Sequence, residues 1–361
     1  MTALDPMATQ GHAVCGRVPD GPGCLDSKGP VAALVDAYDG AFFDLDGVIY
    51  LGARAVDGAP ATMDELGRRG VRVMYVTNNA ARSADTVVAH LNSLGLHATL
   101  DTVLTSAQVA AADLARELPQ GAKILVAGSA NLASLLAEAG LVVVHSADDH
   151  PVAVIQGYDP NLAWPTLDEA CLAIQRGARW FATNDDTSRP TERGIVPGLG
   201  GMIGAIAAAI GGRPHTYGKP FRPMLDAARA RTGATHPIFV GDRLDTDVLG
   251  ANRAGLDSLL VFSGAHGKTD LVGAEPEQRP TFIGADVGAL LAPPRVAVRD
   301  AGTVRCGDVV AGADGSRVTI SHVPATLEGQ LDAVWAIATL VWGAAEPMDA
   351  SAALASLTRV H

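Results

Sequence analysis

Short apolar runs alternate along this chain with stretches in which apolar residues recur every three or four positions. Ala41-Phe42-Phe43-Asp44-Leu45 opens the series and reads as a buried strand. Residues 59–69 read as a helix and 71–76 as a second strand. Ser83 caps a further helix that stops at Gly95. After residue 105 the alternation resumes, with strands at 123–126, 141–144 and 151–156 and helices at 130–139 and 166–176. Residues 237–241 and 258–262 read as central strands, with a helix over 245–254 between them and Gly255 as its C-cap. This alternation predicts an α/β protein with a doubly wound, Rossmann-like parallel sheet covered on both faces.

Two segments break the pattern. Residues 1–34 hold scattered Gly, Pro, Asp and Ser without periodicity, which predicts a disordered leader. Pro293-Pro294 marks a linker, after which 309–320 reads as a hairpin turning at Asp314-Gly315 and 327–345 as one helix. The segment 293–361 is therefore expected to be a small α+β appendage. Leu331, Val334, Trp335, Ala338, Val341 and Trp342 share one helical face, which predicts packing against the core or a dimer partner.

Composition narrows the function. With 27 Lys plus Arg against 39 Asp plus Glu, the net charge is −12, and no basic stripe is present to neutralise a nucleic-acid backbone. The apolar stretches 199–212 and 333–345 are shorter than the roughly 20 residues a membrane span needs, and the start of the chain lacks a secretory pattern. Cys15, Cys24, Cys171 and Cys306 fit neither a zinc site nor a disulfide framework, so reduced thiols and a cytoplasmic enzyme are expected.

Four short signals carry the chemistry. Asp44-Leu45-Asp46-Gly47 ends the first strand. Two carboxylates two apart diverge on a regular strand, but where the strand breaks into a loop both reach the carboxyl edge of the sheet, where open α/β sheets bind ligands. Thr77-Asn78-Asn79 ends the next strand and offers a hydroxyl and backbone N–H groups to phosphate oxygens. Gly218-Lys219-Pro220 precedes a predicted helix and places an ammonium where phosphoryl charge develops. Gly241-Asp242-Arg243-Leu244-Asp245-Thr246-Asp247 follows the strand 238–240, and a hard oxygen ligand such as Asp242 suits magnesium.

In this order the motifs resemble the haloacid dehalogenase superfamily, specifically the branch of p-nitrophenyl, phosphoglycolate, pyridoxal and glycerol-3-phosphate phosphatases. The resemblance spans about residues 35–292. It implies Asp44 as nucleophile, Asp46 as general acid and base, Thr77 and Lys219 as phosphate contacts, and Mg2+ held by Asp44, the Asp46 carbonyl and Asp242, with Asp247 in support. About 140 residues separate Asn78 from Lys219, far more than one crossover needs, and this matches the branch with an α/β cap inserted there. The expected organisation is a catalytic core of 35–107 plus 217–292, a cap of 108–216, and the appendage. The segment from Thr183-Asn184-Asp185-Asp186 to Gly198 resembles the cap loop that faces substrate, with Asp186 and Arg189 or Arg193 as contacts. Dimerisation through the cap is common in that branch, which implies a homodimer.

Other readings are weaker. Ile203 stands where a dinucleotide loop needs its third glycine, so 198–204 reads as the start of an apolar helix. Asp148-Asp149-His150 lacks a second ligand pair and reads as a solvated loop, and Asp245 reads as a helix cap. The expectation is a Mg2+-dependent phosphatase of small phosphorylated metabolites, glycerol 3-phosphate or 2-phosphoglycolate first, working through an aspartyl phosphate. Alternatives are a pyridoxal phosphate or nucleotide phosphatase, a phosphotransferase, and a metabolite-binding regulator that uses the appendage.

Overall fold

The computed structural model describes residues 31–361 except residue 192. The expected leader lies mostly outside the described residues, but its last positions do not. Ala33 and Leu34 are buried, and the Leu34 N–H donates to the Ala292 carbonyl at 2.8 Å. The ordered core thus begins ahead of residue 35.

The main sheet has six parallel strands, in the order Phe282–Gly284, Asp257–Val261, Pro237–Gly241, Gly40–Phe43, Arg72–Thr77 and Val103–Thr105. The three strands that run into the Asp44, Thr77 and Asp242 loops are adjacent: Phe43 pairs in register with Val240 on one side and Tyr75 on the other. The central strand is apolar on both faces because both are covered. Phe43 packs in one apolar cluster and Phe42 in another, as the two-residue period of a strand requires.

A second sheet of five parallel strands runs in the order His215–Thr216, Arg179–Ala182, Ala153–Gln156, Lys123–Ala127 and Val142–Val144. It is built entirely from the chain between Thr105 and Tyr217. Ile124, Ile155 and Phe181 from this sheet share a cluster with Phe42, Met74 and Phe239 from the main sheet. An antiparallel hairpin, Ser188–Thr191 with Gly194–Pro197, projects from it and leads into the apolar helix Leu199–Ile210.

The appendage has more strand than expected. Ala297–Asp300, Thr303–Cys306, Val309–Asp314 and Arg317–Ile320 form a four-stranded antiparallel sheet. Asp314 pairs with Arg317, so the turn lies at Gly315-Ser316 rather than Asp314-Gly315. Gly315 supplies the left-handed residue that this turn demands, at φ +60. The helix Leu327–Trp342 buries Leu331, Val334, Trp335 and Ala338 in one cluster with Leu260, Leu271 and Ile283 of the main sheet and its helices. At about 1.5–3 kcal/mol for each large aliphatic side chain buried, that seam ties the appendage to the main sheet. Cys171 and Cys306 are free thiols. Among the described residues no helix is long and apolar enough to cross a membrane.

The expected helix over 245–254 is two pieces. A π-helical turn, Leu244–Val248, runs into the α-helix Leu249–Ala254, and Gly255 ends it at φ +72. Asp245 does not cap this element. Its carboxylate pairs with Arg243 at 2.8 Å, and the extra residue of the π turn shifts the helix start away from it.

Candidate active site

The site forms where the three adjacent strands end. Asp44 leaves the central strand with its N–H on the Val240 carbonyl at 2.9 Å, which carries the register one residue past the sheet. The chain then turns sharply at Gly47, whose φ is +89. A Cβ there would lie 2.3 Å from Asp242 Oδ2, so this position needs glycine for both backbone and space. The turn leads into a short flap, Tyr50–Leu51 with Arg54–Ala55.

Lys219 arrives from the loop ahead of the helix Arg222–Thr232. It is buried, and its ammonium donates to Asp44 Oδ1 at 2.5 Å and to Asp247 Oδ1 at 2.7 Å. Asp44, Asp242 and Asp247 converge so closely that one carboxylate oxygen from each lies within 4.8 Å of the others. Asp247 Oδ2 in turn accepts from the N–H groups of Asp242 at 3.2 Å and Arg243 at 3.1 Å. The π turn therefore points this carboxylate back to fasten the loop that carries Asp242.

Charge is poorly balanced here. Three carboxylates face one ammonium. Burial raises Asp44 well above the usual carboxylate range; Lys219 pulls it down, but Asp247 and Asp242 push it up again. Burial and the neighbouring Asp247 raise Asp242 likewise. Burial alone would lower Lys219, yet Asp247 and Asp44 more than offset this and hold it above the usual lysine range. Asp242 Oδ1 is buried with no hydrogen-bond partner among the described residues. An orphaned carboxylate oxygen among crowded carboxylates is the donor set a hard divalent cation takes up, so the residues fit magnesium.

Asp46 stands at the open mouth of the site. Partial desolvation raises its carboxyl, while Arg82 and the Tyr50 hydroxyl, 3.5 Å from Oδ2, draw it down. Its net shift is upward, as a general acid requires.

Thr77 Oγ1 accepts from the Asn79 N–H at 3.1 Å, and Asn79 Oδ1 accepts from the Ala81 N–H at 3.0 Å, which shapes the second loop. Asn78 turns to the protein. Its amide bonds the Lys219 peptide at both groups and donates to Asp186 Oδ1 at 3.0 Å, while its own carbonyl accepts from Asn184 Nδ2 at 2.7 Å. Asp186 is thereby placed against the core, and burial pushes it up to about 6. Arg189 stacks on Tyr158 at 4.8 Å, and among the described residues it pairs with none of the carboxylates and its buried Nε has no hydrogen-bond partner.

Some of the machinery carries no motif signal. The Ala265 N–H donates to Asp242 Oδ2 at 2.6 Å, the Ser263 hydroxyl donates to the Gly47 carbonyl at 2.7 Å, and His266 Nδ1 accepts from the Leu244 N–H at 2.8 Å. The small residues Ser263-Gly264-Ala265 directly after a strand are the available sequence cue for this loop.

The chain is similar to known proteins over most of its length. The haloacid dehalogenase-like hydrolase family matches residues 41–142, and a related HAD hydrolase-like family matches residues 216–290. The D-glycerol 3-phosphate phosphatase of Mycobacterium tuberculosis is 44% identical over 258 residues, covering 72% of this chain and 72% of that protein. The structure of glycerol phosphate phosphatase from Mycobacterium tuberculosis in complex with magnesium superposes with a TM-score of 0.79 at 39% identity, over 91% of this chain and 98% of that one. The p-nitrophenyl phosphatase of Archaeoglobus fulgidus superposes with a TM-score of 0.66 at 28% identity, over 70% of this chain and 98% of that one.

Proposed function

The chain belongs to the haloacid dehalogenase-like hydrolases and is a phosphoric monoester hydrolase; from that premise we propose that it takes Mg2+ as its cofactor and hydrolyses glycerol 3-phosphate, or a monoester of similar size, with Asp44 as nucleophile. The observation that carries this reading is the contact of the buried Lys219 ammonium with Asp44 at 2.5 Å, inside the cluster formed with Asp242 and Asp247.

Asp44 and Asp242, with the Asp46 carbonyl, would hold the ion, and Asp247 would support them. When bound, Mg2+ neutralises carboxylate and phosphoryl charge so that one anion can approach another. Lys219 fixes the Asp44 carboxylate and faces the transferring group with positive charge. The Asp44 carboxylate forms a bond to phosphorus as the ester P–O bond breaks, and Asp46 gives its proton to the departing alkoxide. Asp46, now a carboxylate, takes a proton from the water that attacks the aspartyl phosphate. Inorganic phosphate leaves and Asp44 is restored. Thr77 and the backbone around Asn79 receive phosphoryl oxygens. Asp186 and Arg189, both on the segment that runs from residue 183 into the hairpin, would read the organic part of the substrate.

Phosphate release from a panel of small phosphate esters, with Mg2+ and with EDTA, tests the reading. Metal-dependent release, greatest for glycerol 3-phosphate and lost in Asp44→Asn, is expected. Release that persists in Asp44→Asn would sink the nucleophile assignment, and a preference for pyridoxal phosphate or nucleotides would overturn the substrate assignment.

A further inference from the structure

The appendage reaches the metal loop through its last segment. The chain at 357–361 lies along the start of the short helix Lys268–Val272. The Lys268 N–H donates to the His361 carbonyl at 2.7 Å. The Lys268 ammonium donates to the carbonyls of Leu357 at 2.7 Å and Val360 at 2.5 Å. Gly267 permits this approach: a Cβ there would lie 2.8 Å from the His361 carbonyl oxygen. Just upstream, the Ala265 N–H donates to Asp242 Oδ2 at 2.6 Å and the His266 N–H donates to the Asp242 carbonyl at 3.2 Å. Only Gly267 therefore separates His266, one of the groups that hold Asp242, from Lys268, which the appendage clamps.

A shared apolar cluster runs beside this contact. Leu244 and Val248, which flank Asp247 on the π turn, bury in the same cluster as Leu331, Leu354, Leu357 and Val360. The loop that fastens Asp242 and the turn that carries Asp247 are thus both tied to the appendage.

We propose that the segment 357–361, clamped by Lys268, is a positioning element for the magnesium site: it holds the loop 263–268 at the setting in which Asp242 can ligate the ion. Lys268 touches neither substrate nor the reacting atoms and acts through the main chain of Ala265 and His266. This rests on the assignment of Asp242 as a metal ligand.

The test is Mg2+ binding to the substrate-free protein by isothermal titration, well below the melting temperature of each variant. Lys268→Met keeps the aliphatic stem and removes the donors. Its Kd for Mg2+ is expected to rise about three- to tenfold, less than loss of a group bonded directly to a ligand brings, and Lys268→Arg should recover most of the difference. Gly267→Ala, which crowds the His361 carbonyl without altering Lys268, should weaken Mg2+ in the same direction and serves if Lys268→Met does not fold. A lowered melting temperature with an unchanged Kd in both variants would reduce the clamp to ordinary packing and overturn the proposal. Asp242→Asn separates the two levels: normal Mg2+ affinity in that variant would show that the metal assignment itself had failed.

Discussion

The side-chain amide of Asn78 bonds both peptide groups of Lys219, accepting from its N–H at 2.8 Å and donating to its carbonyl at 2.9 Å across 141 residues of sequence. The loop that would receive phosphate and the loop that brings the ammonium are thereby one unit. Because the same amide meets Asp186, the unit also fixes where the second sheet's loop sits over the site.

Asn78→Ala should therefore do more than remove a polar surface group. It leaves two buried main-chain groups of Lys219 unpaired, at a cost of about 1–3 kcal/mol each. The melting temperature should fall, and kcat should fall with it at saturating substrate because Lys219 loses its setting. Differential scanning calorimetry beside steady-state kinetics checks this; a drop in kcat with no loss of stability would contradict it.

Lys219→Met leaves Asp44 and Asp247 buried against each other without a counter-charge. Breaking a buried pair from one side costs about 3–5 kcal/mol. The loss should be largest without metal, since an added cation restores part of the balance. Turnover should fall by at least about 10²-fold, as expected for removal of a charge-stabilising donor. Thermal melts with and without Mg2+ read out the first effect.

The raised carboxyl of Asp186 gives the substrate-free protein a pH signature. Burial pushes it up to about 6 from an ordinary 3.8, so the folded state holds the proton more tightly. The neutral form favours folding at low pH, and that contribution is lost as pH rises through about 6, for a total on the order of 3 kcal/mol. Asp186→Asn should flatten the melting profile between pH 4 and about 6 and be the more stable form at pH 8. An unchanged profile would show that Asp186 is ionised in the folded protein.

The fold was largely legible in the sequence because parallel strands buried on both faces leave continuous apolar runs, as at Phe42-Phe43 and Ile238-Phe239-Val240. The ordered motifs pointed to Asp44, Lys219, Asp242 and Asp247, which the structure brings within hydrogen-bonding or metal-ligating reach of one another. Asp245 misled because Asp is common at helix starts, and a π turn cannot be read from residue types. The Ala265 and His266 contacts to Asp242 were invisible for a related reason: main-chain donors leave no mark on side-chain identity. Two appendage strands were missed because Ala297–Asp300 and Thr303–Cys306 are only four residues long, and the first buries none of its residues.

As the proposed general acid, Asp46 should set the alkaline side of the rate profile. Arg82 and the Tyr50 hydroxyl both draw its carboxyl down against desolvation. Tyr50→Phe and Arg82→Gln should each raise it, so the alkaline limb of kcat/KM, where the general acid is lost, should move to higher pH in both. Movement to lower pH would contradict Asp46 as the proton donor.

In the proposed reaction the phosphoryl group passes through Asp44. Enzyme quenched in acid during turnover of glycerol 3-phosphate, digested and mapped by mass spectrometry should carry a phosphoryl group on the peptide containing Asp44, and hydroxylamine should remove it as it removes any acyl phosphate. Phosphate formed in a single turnover with no adduct on that peptide, or an adduct on another residue, would contradict the account.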